Sequence, residues 1–255
     1  MPCGTPAPRA NIYYFFSIHF KSLWLINLPE NKGMLVSMHL IIYAHPDNAS
    51  SHSAAVLKLV REHLDSKGSK YRVIDLYAEG FDPVMPVSEY KWQSGKGKGA
   101  GPEQAVLGYQ QAIKDSDVLV FILPVWWYSQ PAILKGFLDR VFTPGFAYKF
   151  KKPPSFYKYV QPAVNLCCRV GFLAPLIESQ MPIEKFLTGR RAVVISTYGG
   201  SSEGFYLFGK PNYYSLDKAV LEFCGISPVS RINWWEARHS TDVPGYVREQ
   251  IIKAL

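Results

Sequence analysis

Short apolar runs alternate along the chain with longer stretches whose apolar positions recur at helical spacing. The runs predict five strands, over Met38–Pro46, Tyr71–Tyr77, Val118–Leu123, Arg190–Gly200 and Pro228–Glu236. The amphipathic stretches predict helices over Ser51–Asp65, Pro102–Lys114, Pro131–Phe142, Tyr213–Phe223 and Val243–Leu255. Strands that alternate with helices form parallel sheets covered on both faces, so we expect a doubly wound five-stranded α/β domain.

Two segments fall outside this pattern. Ile12–Leu28 is hydrophobic but shorter than the roughly 20 apolar residues of a spanning helix, and polar residues interrupt it. We expect residues 1–37 to be an N-terminal extension of a domain over 38–255, with a peripheral membrane or partner-binding segment as the alternative. Residues 151–189 hold many apolar residues and several prolines, which predicts an insertion packed over the site rather than facing a membrane.

Charge and cysteine content narrow the classes of function. The formal net charge of +8 favours anionic partners, yet no zinc-finger, RNP or basic-helix signature occurs. A phosphate-bearing small molecule accounts for the charge as well as a nucleic acid does, and we expect no nucleic-acid partner. The four cysteines form no CxxC pair, which argues against a metal site and favours reduced thiols in the cytoplasm.

Three loops are chemically unusual. They follow the first, third and fourth predicted strands, and their sequences are AHPDNASSHS, PVWWYSQP and STYGGSSEGFY. In a doubly wound sheet, ligands bind beyond the carboxyl ends of the strands. The sequence therefore predicts one ligand site built from these three loops.

The first of these loops suits a phosphate. Ser50 and Ser51 lie at the N-terminus of a predicted helix, where backbone N–H groups attract anions. His45 and His52 add further donors. A plain serine cap is the alternative interpretation.

The other two loops suit a large planar group. The loop after the third strand places flat rings beside backbone N–H groups, unless the rings merely fill core or an interface: Trp126, Trp127 and Tyr128. The loop after the fourth strand contains glycines that allow close backbone approach: Thr197, Tyr198, Gly199 and Gly200. Tyr206 is a candidate donor of a proton or hydrogen bond, or a surface tyrosine.

The segment PVWWYSQPAILKGFLDRVFTPGFAY resembles the hallmark of the flavodoxin-like NAD(P)H quinone reductases of the DT-diaphorase type. That stretch has the form P-L-x-W-[FY]-x-x-P-A-x-L-K-G-[FW]-x-[DE]-R-V-F-x-x-x-F-A-Y. The loop AHPDNASSHS is similar to the family's A-H-P-x-x-x-S-[FS]-[NH], and STYGGSSEGFY to its T-T-G-G segment. The likeness runs from about Met38 to Leu255.

The resemblance implies a flavodoxin-like fold with a tightly held flavin, FAD or alternatively FMN, and NAD(P)H as co-substrate. By position, His45, Ser50, Ser51 and His52 would hold the phosphate tail. The flavin ring would lie against the residues of the other two loops: Pro124, Val125, Trp126, Trp127, Tyr128, Thr197, Tyr198, Gly199 and Gly200. Hydride transfer to a quinone or similar acceptor by a ping-pong mechanism, in a homodimer, is the implied activity.

The chain departs from the family at the catalytic residues. The family places a Tyr and a His after the double glycine, whereas here Phe205 or Tyr206 falls near the Tyr position and Lys210–Pro211 near the His position. We predict Tyr206, Trp127 and Tyr128 as the catalytic residues. A regulatory subunit of a membrane potassium-efflux system and a reductase of azo or nitro compounds remain as alternative functions.

Overall fold

The computed structural model describes residues 37–95, 101–151, 183–208, 213–240 and 242–255. Its centre is a parallel five-stranded sheet in the order β2-β1-β3-β6-β7. These strands are β1 His39–Tyr43, β2 Tyr71–Asp75, β3 Val118–Pro124, β6 Arg191–Thr197 and β7 Val229–Trp234. This strand order reverses between β1 and β3, the point at which flavodoxin-like sheets bind their ligands.

Helices connect the strands, and a short antiparallel ribbon lies outside the sheet. The helices are α1 His52–Ser66, α2 Val87–Gln93, α3 Gln104–Lys114, α4 Ala132–Val141, α5 Ser202–Leu207, α6 Tyr213–Glu222 and α7 Gly245–Ala254. The ribbon pairs β4 Tyr148–Phe150 with β5 Ile183–Lys185. A short 3-10 turn, Ala237–His239, follows β7.

Both faces of the sheet are buried, which explains why its central strands are apolar throughout. On β1, Leu40 and Ile42 pack towards α3, α4 and α6, whereas Ile41 and Tyr43 pack towards α1 and α7. Every residue of β3 is buried. The predicted doubly wound sheet, with its five strands and the five connecting helices, is confirmed to within a few residues at each boundary.

The helix predicted over Tyr213–Phe223 is present as Tyr213–Glu222, with π-helical rather than α-helical hydrogen bonding. Other elements were not predicted. Helices α2 and α5, the β4–β5 ribbon and the 3-10 turn are short, so they carry little periodic signal.

Helix α4, which begins in the loop after β3, is anchored by close packing and by a buried ion pair. The backbone of Pro83 crosses this helix directly above Gly136. Arg140, one turn further on, donates to both carboxylate oxygens of Glu89 at 2.7 and 2.9 Å and to the Asp82 carbonyl at 2.6 Å. These contacts fix the position of the helix that carries the aromatic loop.

Two regional predictions stay predictions. Residues 1–36, and 152–182 of the expected insertion, lie outside the described residues. In the described part of the chain, no helix combines the length and apolar character needed to cross a bilayer.

Candidate functional site

The three unusual loops meet at the carboxyl edge of the sheet, where backbone hydrogen bonds continue the ladder past the strand ends. The N–H of Val125 donates to the Thr197 carbonyl at 2.9 Å, and the N–H of Tyr198 donates to the Trp234 carbonyl at 2.8 Å. Ala237 in turn donates to the Tyr198 carbonyl at 2.8 Å. The loops after β3, β6 and β7 are therefore fixed relative to one another.

A cavity of about 300 Å³ opens between the loops after β3 and β6, and we call it the aromatic cavity. Its walls combine flat rings with glycine backbone: Val125, Trp127, Tyr128, Tyr198, Gly199, Gly200, Ser201, Gly204 and Phe205. Tyr198 stacks on Trp235 with 4.0 Å between ring centroids, which stabilises the wall. The Trp127 side chain, by contrast, is 98% exposed.

A second cavity, of about 290 Å³, adjoins the first, and we call it the histidine cavity. The two share Val125, Tyr198 and Gly199. The remaining walls of the histidine cavity are more polar: His45, His52, Ser53, Pro124, Trp126, Thr197, Ala237 and Arg238. We call these two adjoining cavities the trough; its aromatic end is lined by flat rings, and its basic end by His45, His52 and Arg238.

The aromatic loop turns through an unusual backbone conformation. Trp126 and Ser129 exchange N–H···O hydrogen bonds of 3.1 and 3.0 Å, which closes a two-residue turn. The central residues, Trp127 and Tyr128, have φ of 50° and 58°. Turns with both central residues in the left-handed region normally use Asn-Gly, because a Cβ is disfavoured there by about 1–2 kcal/mol per residue. Bulky residues held in such a conformation are typical of ligand sites.

The loop after β1 is organised around Asp47. Its carboxylate accepts from the N–H groups of Ala49 and Ser50 at 2.9 and 2.8 Å, and also from the Ser50 hydroxyl. The Ser51 hydroxyl donates to the Asp47 carbonyl and accepts from the N–H of Ala54 at 3.1 Å, as the cap of α1. Ser50 and Ser51 thus have partners within the loop, and neither is among the residues that line the histidine cavity.

Burial and hydrogen bonding set the ionisation of this loop. Burial lowers the pKa of His45, against the opposing effect of its hydrogen bond to Asp47. Nδ1 of His45 contacts the Asp47 backbone at about 3 Å, so Nε2 is the ring nitrogen that remains for a ligand. Donation from the Ser50 hydroxyl and from the Ser50 and Ala49 N–H groups lowers the pKa of Asp47 to about 2.

The remaining wall of the aromatic cavity comes from α5. Phe205 is buried and lines this cavity, whereas Tyr206 is 57% exposed and is not among its lining residues. A Cβ at Gly204 would lie 2.6 Å from the Tyr128 hydroxyl oxygen, so the absence of a side chain at Gly204 allows Tyr128 to approach. Of the two residues near the position of the family's tyrosine, Phe205 is therefore the one that lines the cavity. The catalytic role of Tyr206 stays a prediction.

Most residues proposed from the sequence lie together in this trough. Those that line it are His45, His52, Pro124, Val125, Trp126, Trp127, Tyr128, Thr197, Tyr198, Gly199 and Gly200. Sequence reasoning missed a second group, which comes mainly from α5 and from the turn after β7: Ser53, Ser201, Gly204, Phe205, Ala237 and Arg238. Among these, buried Ser53 lies with its hydroxyl 3.1 Å from that of Thr197.

The trough fits a flavin nucleotide in the kinds of group it presents. Rings and glycine backbone in the aromatic cavity match a planar ring system, and imidazoles beside the N-terminus of α1 match a phosphate. A volume of about 300 Å³ lies at the lower end of the range that is typical of cofactor sites.

The flavodoxin-like fold family matches residues 37–250, and the chain belongs to this family. An uncharacterized NAD(P)H oxidoreductase of Haemophilus influenzae is 35% identical over 111 residues, which is 44% of this chain and 53% of that protein. The chain thus matches about half the length of this relative. A ribosyldihydronicotinamide dehydrogenase [quinone] of Rattus norvegicus is 26% identical over 201 residues, 73% of this chain and 76% of the relative.

A solved structure agrees with these relatives. The NAD(P)H:quinone oxidoreductase of Methanothermobacter marburgensis superimposes with a TM-score of 0.60 at 26% identity, covering 86% of this chain and 92% of that chain. The resemblance to flavodoxin-like NAD(P)H quinone reductases seen in the loop sequences is therefore confirmed.

Proposed function

We propose that the chain is a flavin-dependent oxidoreductase that passes a hydride from NAD(P)H to a quinone or a similar acceptor. The observation that carries this proposal is the trough at the carboxyl edge of the sheet, in which a cavity lined by flat rings adjoins a cavity lined by two imidazoles and a guanidinium. A flavin nucleotide has the same division into a planar ring and a phosphate-bearing tail. The names of the rat and Methanothermobacter relatives support the proposed reaction.

A bound flavin would supply the two-electron chemistry, and the chain would supply position and polarity. Trp127 and Tyr128 would stack with planar groups, and their N–H groups at the centre of the turn would donate to the polar edge of the ring. Fixed donors of this kind stabilise negative charge as it develops. In the proposed ping-pong order, NAD(P)H and the acceptor would stack in turn at the aromatic end of the trough, where Trp127 is exposed.

The proposal has three finer parts: the electron acceptor, the form of the flavin and the cellular location of the protein. We favour FAD, with FMN as the alternative, and a quinone over azo or nitro compounds, which require the same site and differ only in the acceptor. The family likeness and the cysteine content favour a cytoplasmic protein, with peripheral membrane association as the alternative.

We also propose a homodimer. Trp127, Leu207 and Phe208 are 98%, 81% and 64% exposed; Trp127 lines the aromatic cavity, and the Phe208 ring lies 5.0 Å from the ring of Tyr128, which also lines it. Large apolar side chains exposed together mark interaction surfaces. Sedimentation equilibrium of the wild type and of Leu207→Glu tests this: the variant should shift towards monomer, and a wild-type monomer at all concentrations would refute the dimer.

The central experiment examines the purified full chain for bound flavin and for turnover. We expect a yellow protein whose heat-released chromophore comigrates with FAD or FMN, and parallel double-reciprocal lines for NAD(P)H and quinone. A protein that stays colourless after reconstitution with both flavins would refute the proposed function. Intersecting lines would refute the ping-pong order alone, and co-purification with a membrane transporter without turnover would favour the regulatory alternative.

A further inference from the structure

Arg238 reaches the site from the turn after β7, which lies outside the three loops predicted to build the site. It lies on the 3-10 turn Ala237–His239, directly after β7, and lines the histidine cavity together with His45 and His52. No carboxylate occurs among the described residues that line this cavity. The basic end of the trough is thus built from two chain segments about 190 residues apart.

Backbone hydrogen bonds fix the position of the turn that carries Arg238. Its neighbour Ala237 is buried and donates to the Tyr198 carbonyl at 2.8 Å, and Tyr198 lines both cavities. The preceding residue, Glu236, donates to the Gly200 carbonyl at 3.0 Å. These bonds attach the turn that carries Arg238 to the loop after β6, which lines the trough.

The guanidinium is also oriented. Nε of Arg238 donates to Nε2 of His239 at 3.1 Å, which leaves the two terminal nitrogens for a ligand. The serine hydroxyls of the first loop, by contrast, are engaged by Asp47 and by the cap of α1. Side-chain donors for a phosphate at this end of the trough are therefore His45, His52 and Arg238 rather than Ser50 and Ser51, and the guanidinium of Arg238 brings a positive charge.

We propose that Arg238 is a cofactor-binding residue that recognises the phosphate ester on the flavin side chain, opposite His45 and His52. This inference rests on the proposed flavin site. An arginine can donate two parallel hydrogen bonds to one phosphate, which makes it well suited to this role.

The test compares three flavins on the full chain freed of bound cofactor. Dissociation constants for riboflavin, FMN and FAD are measured by quenching of flavin fluorescence, for the wild type, Arg238→Gln and Arg238→Lys. We expect Arg238→Gln to weaken FMN and FAD about tenfold and to leave riboflavin unchanged, because one charged hydrogen bond to phosphate is lost. Arg238→Lys should recover part of the loss.

Arg248→Gln is the matched control, since it removes the same charge from an exposed position on α7 that does not line the cavity. It should leave all three affinities unchanged. Equal weakening of riboflavin and FMN by Arg238→Gln, or no weakening of FMN, would overturn the role of Arg238. A wild type that binds none of the three flavins would instead overturn the proposed function, so the two failures are distinguishable.

Discussion

Replacing Gly136 by alanine sets two physical effects against each other. In the interior of a helix, alanine is favoured over glycine by about 1 kcal/mol. In α4, however, the new Cβ would lie 2.3 Å from the Pro83 carbonyl oxygen and 2.5 Å from the Pro83 Cα. An ordinary contact requires roughly 3.5 Å, so the helix or the Pro83 backbone must move by about 1 Å.

Such a movement would destabilise the folded state. It would disturb the hydrogen bond of 2.6 Å between Arg140 and the carbonyl of Asp82, the residue before Pro83, and with it the buried Arg140–Glu89 pair. Overpacking a close-packed interior costs about 1–3 kcal/mol, and breaking a buried ion pair costs more. We expect Gly136→Ala to lower the free energy of unfolding by about 1–2 kcal/mol, despite its higher helix propensity.

Urea unfolding followed by circular dichroism measures this change, with Gly108→Ala as the matched control. Gly108 lies on the exposed side of α3, and no atom lies within 4 Å of its would-be Cβ. The control should therefore gain about 0.5–1 kcal/mol. Both variants must be compared with the wild type at equal cofactor occupancy, since a ligand adds to stability. Stabilisation by both substitutions would refute the close approach of Pro83 to α4.

Three further predictions concern the site and its pH dependence. Trp127→Asn should raise the free energy of unfolding, measured in urea, by about 1 kcal/mol, because asparagine tolerates positive φ and Trp127 loses little burial. Its activity should fall. A clear loss of stability would contradict the strained turn. Gly204→Ala should raise the KM for the acceptor by displacing the Tyr128 hydroxyl, and adding Tyr128→Phe should restore it; a double variant no better than the single would exclude this clash. Burial lowers the pKa of His39 below its ordinary 6.5, so the unfolded chain takes up a proton that the folded chain does not. The free energy of unfolding should therefore fall as the pH drops below about 6.5, by at most about 1.4 kcal/mol per pH unit from this residue. If His39→Gln has the same dependence of stability on pH as the wild type, a contribution from His39 is excluded.

The fold could be predicted from the sequence because burial on two faces leaves a strong local signal. The run from Val118 to Leu123 is apolar at every position, as expected of a strand that is covered on both sides. The ribbon of β4 and β5 could not be predicted in the same way, because its two strands are more than 30 residues apart in the sequence. Pairing at that separation leaves no local pattern.

The candidate site was predicted in outline and less well in its individual contacts. Ser50 and Ser51 have the composition of a phosphate loop, but the sequence does not show that Asp47 engages their hydroxyls. Arg238 carries no motif at all, and its place in the trough depends on how the chain turns after β7. Residue types are visible in a sequence, whereas hydrogen-bond competition and tertiary proximity are properties of the folded chain.

In the aromatic turn, the residue types and the backbone conformation disagree. Its backbone conformation favours Asn-Gly, and the chain instead places Trp127 and Tyr128 there, with Trp127 almost fully exposed. Because Trp127 is exposed, core packing does not offset the unfavourable free energy of its left-handed backbone conformation. A planar group stacked on those rings would do so, because it would bury them. The same residues that are unfavourable for folding are thus the ones we expect to bind the cofactor and the acceptor.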